Sequence, residues 1–177
     1  FLSHRLPVAK GAQAAGYRVH VASMPGLAVE IITKAGLEHH ELPLSRSGRN
    51  PMAELRLIFA IWKLLWRLKP DVLHLVTIKP VLYGGIAARL APVKGVVAAI
   101  SGLGFVFLSK GLKAALTRQV VSTFYQAALG KRNLRAIFQN PDDRDLLLGI
   151  GGLHASKVVM IRGSGVDLSL YSSVAEP

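Results

Sequence analysis

The chain has 177 residues, long enough for a sizeable core, and 51% of them are hydrophobic, which excludes a disordered polypeptide. It has no cysteine, so disulfides and thiolate metal sites are excluded as well. Lysine and arginine number 22 against 10 acids, a formal charge of +12. No acid occurs between Asp71 and Asp142, a stretch that holds Lys79, Arg89, Lys94, Lys110, Lys113, Arg118, Lys131, Arg132 and Arg135. A field of that sign attracts polyanions, whether nucleic acid, anionic lipid headgroups or phosphorylated substrates, and charge alone does not choose among them.

In chain order, residues 2–15 read as a helix closed by Gly16, and Tyr17–Ser23 alternates like a strand that stops at Pro25-Gly26. A second helix covers about 26–36, and a short strand follows at Glu38–Leu42. Ser45–Asn50 is a polar loop, after which Pro51 opens a helix to Leu68. Asp71–Thr77 is the next strand, Pro80–Leu90 a helix, and Gly95–Ser101 an apolar run typical of a central strand. A long helix at about 111–130, a strand at Leu134–Gln139, a helix at Asp142–Leu148 and a strand at Lys157–Ile161 complete the series. Gly163–Pro177 has the composition of a linker. No run approaches the roughly 18 uninterrupted apolar residues of a membrane span.

Strands separated by single helices predict an α/β fold, a parallel sheet with helices on both faces. One domain is expected over 1–162, with 163–177 as a linker. A sheet of this kind should begin with a strand, and the chain opens on a helix, so a first strand is expected to be missing.

Ligands of open parallel sheets bind beyond the carboxyl ends of the strands, which selects particular loops. Ser101-Gly102-Leu103-Gly104-Phe105-Val106-Phe107 is the most informative. Its glycines allow close approach and free amides, and Phe105 and Phe107 would stack on a sugar ring, meet a lipid or simply plug the core. It is not the dinucleotide fingerprint: a third glycine and a following acid at the right distance are both absent. His4 and Arg5 stand where a helix N-terminus favours phosphate, and Lys79 stands at a strand end where it would meet an anionic acceptor. The plainer reading of all three is a solvated surface. His74 reads as a core histidine within its strand, and His39-His40 as an exposed pair without a partner at metal-ligand spacing, so no metal site is expected. Asp142, Asp143 and Asp145 read as acids at a helix start.

In the helix at 52–68, Arg56, Lys63 and Arg67 share one stripe at about 100° per residue, and the apolar arc spans roughly 220°. Phe59, Trp62 and Trp66 lie on its shoulder, beside the basic stripe. That edge, Phe59, Trp62, Lys63, Trp66 and Arg67, suits a membrane interface. The alternative is that a neighbouring helix or a partner domain covers it.

Several segments together resemble one family. Phe1-Leu2-Ser3-His4-Arg5, residues 69–74 (KPDVLH), Ile78-Lys79-Pro80, residues 101–107, residues 137–143 (IFQNPDD) and residues 163–168 (GSGVDL) resemble bacterial family 4 glycosyltransferases of surface polysaccharide synthesis. The resemblance implies a GT-B architecture of two Rossmann-like domains, this chain corresponding to the N-terminal, acceptor-side one. It implies transfer from a nucleotide-sugar to a polyprenyl-diphosphate-linked glycan with retained configuration, without metal or other cofactor. Ser3, His4, Lys79, Ser101, Gly102, Gly104, Phe105 and Asn140 are then the expected acceptor-side binding residues, with catalytic residues not identified. Contact with an anionic membrane at the cytoplasmic face, no nucleic-acid partner, and no turnover by these residues alone are also expected. A GT-B-shaped sugar-nucleotide epimerase and a basic nucleic-acid-binding module are the alternatives.

Overall fold

The computed structural model describes residues 4–44, 50–100, 102–103 and 112–163, the segment 112–117 as backbone only. Ser3, Ser101, Gly104, Phe105, Phe107, the 45–49 loop and the tail beyond Gly163 lie outside the described residues. The chain divides into two compact units: Phe1–Leu44 with Gly163–Pro177, and Ser45–Arg162.

In the first unit, α1 (Leu6–Ala14) precedes β1 (His20–Ser23), and α2 (Ala28–Lys34) precedes β2 (Glu38–Glu41). β1 and β2 pair in parallel, with His20 opposite Glu38 and Ser23 opposite Glu41. Both helices end as their glycines predict. Gly36 (φ 76°) lets its own N–H reach Thr33 O and the Leu37 N–H reach Ile32 O, closing α2 with a Schellman motif. Gly16 (φ 87°) does the same for α1 through Gln13 O and Ala12 O. Ala9, Val21, Ile32 and Leu37 form the core of this unit.

The second unit runs α3 (Pro51–Leu68), β3 (Val72–Val76), α4 (Ile78–Arg89), β4 (Gly95–Ile100), α5 (Leu112–Leu129), β5 (Leu134–Phe138), α6 (Pro141–Ile150), a 3₁₀ turn (Ala155–Lys157) and β6 (Val158–Met160). Its four strands are all parallel, in the order β3-β4-β5-β6. Asn50 caps α3 by accepting the Met52 N–H at 3.0 Å, ahead of Pro51. Leu57, Ile61 and Leu65 form the buried stripe of that helix.

α4 begins at Ile78, two residues earlier than the sequence reading, so Lys79 lies in its first turn rather than in a loop. Two adjacent glycines let this helix pack closely on both sides. A Cβ on Gly84 would come within 2.5 Å of Leu75 Cδ2, and one on Gly85 within 2.7 Å of the Ala128 carbonyl oxygen. α4 therefore seats against β3 and α5 together, at a separation that larger residues would prevent.

Candidate functional site

In the second unit the carboxyl ends of β3, β4 and β5 lead to Thr77, to Gly102-Leu103 and to Asn140, the location where parallel sheets place ligands. Thr77 is the outlier there. It has φ 71° and ψ 165°, a region nearly reserved for glycine, and its side chain makes no cap to α4. A β-branched residue in that conformation costs on the order of 1–3 kcal/mol, strain that tends to be kept at functional sites. Thr77 and Ile78 line a small depression together with Val81, Ile100 and Tyr125.

Beside it, Lys79 Nζ donates to Glu54 Oε1 at 2.6 Å, linking α4 to α3. Both side chains are largely shielded, 27% and 19% exposed. Burial, followed by a hydrogen bond to the Glu54 carboxylate, pushes the Tyr83 phenol up to about 12. Lys79 is thus a member of a Glu54–Lys79–Tyr83 cluster, which corrects the picture of a solvated loop lysine.

The amides expected to be free are engaged too. Asp143, 6% exposed, accepts the Gly102 N–H and the Leu103 N–H on its two carboxylate oxygens, each at 3.0 Å. Asn140 caps α6 through its Oδ1, which accepts the Asp143 N–H at 2.8 Å, while its Nδ2 donates to Asp143 Oδ2 at 2.8 Å. Gly102 and Asn140 therefore belong to a clamp that fixes the end of β4 to the start of α6. Asp142 and Asp143 lie in the first turn of α6, and the Asp143 carboxylate fastens the neighbouring loop. Burial raises the Tyr125 phenol well above its usual range, with the Asp143 charge adding to it.

Several described cations of the basic stretch have partners within the protein. Lys94 pairs with Asp71 at 2.6 Å, Arg89 donates to the Ala127 carbonyl at 2.9 Å and Lys131 to the Ala88 carbonyl at 2.6 Å. These last two meet carbonyls near the C-terminal ends of helices, where cations are stabilising. Burial lowers the Lys131 ammonium.

On α3, Phe59 is 60% exposed and Trp66 47%, with Met52, Leu55 and Leu90 exposed around them. Lys63 and Arg67 are exposed. Trp62 is half-buried: its indole N–H and that of Trp66 both donate to the Leu90 carbonyl at 3.0 Å. Phe59, Trp62 and Trp66 form a ladder with ring centroids 5.5 and 6.2 Å apart. Among the described residues no helix is long and apolar enough to cross a membrane.

In the first unit, His4 is exposed in the turn before α1. Two histidine assignments are corrected. His74 is exposed, and among the described residues its strand β3 pairs with β4 alone. His39 and His40 are half-buried, because β1 lies beside them. His39 Nε2 lies 2.9 Å from Ser23 Oγ, and His40 Nε2 lies 3.0 Å from His20 Nδ1.

Sequence reasoning missed Glu54 and Tyr83. Glu54 was within reach: it is the one acid of α3 and stands at helical spacing on the stripe of Leu57, Ile61 and Leu65. Nothing in the sequence marks the positive φ of Thr77.

This fold, parallel sheets flanked by helices, is that of a GT-B glycosyltransferase domain. A glycosyltransferase from Rickettsia africae superposes with a TM-score of 0.63 at 18% identity, over 90% of this chain and 38% of that one. MurG of Acinetobacter baumannii does so with a TM-score of 0.57 at 18% identity, over 94% and 42%. The glycosyl transferase 4-like family profile matches residues 2–139, and the chain belongs to that family. It is also similar to the N,N'-diacetylbacillosaminyl-diphospho-undecaprenol alpha-1,3-N-acetylgalactosaminyltransferase of Campylobacter jejuni, at 26% identity over 179 aligned positions. That alignment covers 97% of this chain and 47% of the relative, so the chain spans about half the length of the curated relative it matches.

Proposed function

We propose that the chain provides the acceptor side of a retaining glycosyltransferase that moves a sugar from a nucleotide-sugar to a polyprenyl-diphosphate-linked glycan at an anionic membrane surface. The observation that carries the reading is the exposed edge of α3. Phe59 and Trp66 present aromatic surface beside Arg56, Lys63 and Arg67, all of them exposed. Aromatic and cationic groups on one helix edge are the combination that binds the interface of an anionic bilayer. Each well-placed cation contributes about 1 kcal/mol there. A lipid-linked acceptor lies at that interface, and the Campylobacter relative is named for a diphospho-undecaprenol substrate. In the same unit, the strained Thr77 and the Glu54–Lys79–Tyr83 cluster stand at the strand ends, where an acceptor glycan would be held.

Flotation with phosphatidylglycerol vesicles tests the reading. The protein should associate with them and not with phosphatidylcholine vesicles, and Phe59→Ala with Trp66→Ala should lower the partition at least tenfold. Equal partition of the double variant and the unaltered protein would remove the membrane role of α3.

A further inference from the structure

Outside that site, the first unit holds a cluster that the linear spacing conceals. The parallel register sets His20 opposite Glu38, and Glu38 and His40 are two residues apart on β2. Side chains two apart share a face of a sheet. His20, Glu38 and His40 therefore project from the same face of the β1–β2 ribbon.

Their donor atoms converge. His20 Nδ1 lies 3.0 Å from His40 Nε2 and 3.3 Å from Glu38 Oε2, and one ligand atom from each of the three falls within a common 4.8 Å. A tetrahedral ion holding nitrogen and oxygen ligands at about 2.0–2.1 Å separates them by roughly 3.3 Å. The separations of 3.0 and 3.3 Å lie at or just below the edge of such a polyhedron, and the third pair stays within 4.8 Å. Arg18 Nε donates to Glu38 Oε1 at 2.5 Å, which fixes the carboxylate and turns Oε2 toward His20. Anchoring of a ligating carboxylate by an outer hydrogen bond is the arrangement metal sites use. His20 and His40 are half-buried, their rings stacked with centroids 5.2 Å apart. His39 is on the opposite face, bonded to Ser23 Oγ.

We propose that His20, Glu38 and His40 form a binding site for one divalent transition-metal ion of the zinc class, with a fourth position left to solvent. Two neutral imidazoles and a carboxylate suit zinc or cobalt, whereas the hard cations magnesium and calcium prefer all-oxygen sets. Such an ion would cross-link β1 to β2.

The test uses tag-free protein stripped with chelator and titrated with cobalt chloride, then with zinc chloride in competition. One cobalt ion per chain should bind, with the visible absorption of a four- or five-coordinate centre, and zinc should displace it. His20→Ala and His40→Ala should each weaken binding at least 30-fold. His39→Ala, adjacent in sequence but on the other face, should stay within threefold of the unaltered protein. Glu38→Gln keeps the side-chain size, should fold normally by circular dichroism, and should weaken binding at least tenfold. Equal cobalt affinity of the His39 and His40 variants would overturn the proposal, as would binding unaffected by Glu38→Gln.

Discussion

Replacing Asp143 by asparagine isolates the clamp between β4 and α6. The carboxylate accepts three hydrogen bonds: from Gly102 N and Asn140 Nδ2 on Oδ2, and from Leu103 N on Oδ1. An amide has one oxygen, so in either orientation its NH₂ points at a backbone N–H. The less harmful choice faces it toward Leu103, a residue 1% exposed, whose donor is then buried without a partner. That costs about 1–3 kcal/mol, and the two remaining bonds lose their charge assistance. The expected total is about 2–4 kcal/mol. With a urea slope of about 1–3 kcal/mol per molar, the midpoint should fall by roughly 1–2 M. Fluorescence of Trp62 and Trp66 on α3, the only two tryptophans, follows the unfolding of this unit. Hydrogen exchange should show the Gly102 and Leu103 amides losing protection. A midpoint within about 0.3 M of the unaltered protein at similar slope would refute the reasoning, because the clamp would then contribute nothing measurable.

The two kinds of helical glycine should respond with opposite signs. Gly85→Ala gains about 1 kcal/mol of helix propensity but drives a methyl to 2.7 Å from the Ala128 backbone oxygen, and overpacking of about 1–3 kcal/mol should win. Gly149→Ala on α6 meets nothing within 4 Å and should stabilise by about 0.5–1 kcal/mol, both read from urea midpoints. Tyr83, with its phenol raised to about 12, contributes stability that is complete below pH 10 and is lost as pH rises from 10 through 12. Half-burial limits that loss to about 1–2 kcal/mol. Tyr83→Phe should flatten the fall between pH 9 and pH 12 in chemical denaturation, and an unchanged slope would refute the assignment.

The local signals in this chain were legible. Gly16 and Gly36 announced the ends of α1 and α2, and Asn50-Pro51 the start of α3. The apolar runs located β3, β4 and β5 within a residue or two. The periodicity of α3 put its aromatic and basic residues on one edge but left open whether that edge is covered. The partners of the polar residues were less visible, because they come from distant parts of the chain. Lys79 meets Glu54 across two helices, Gly102 meets Asp143 across α5, and His20 meets His40 through a register that two short strands fix only after folding. Lys79 and His40, read as solvated, face another element of the protein, whereas His74, read as a core residue, is exposed.

The shared acceptor of Trp62 and Trp66 has an optical consequence. Both indoles are tied to the Leu90 carbonyl. They are the only two tryptophans in this sequence, so its indole emission is a local gauge of polarity along one helix edge. A blue shift on addition of any ligand reports drying of that edge. Emission that stays constant while ligand binds locates the ligand elsewhere, and no label has to be attached to learn which.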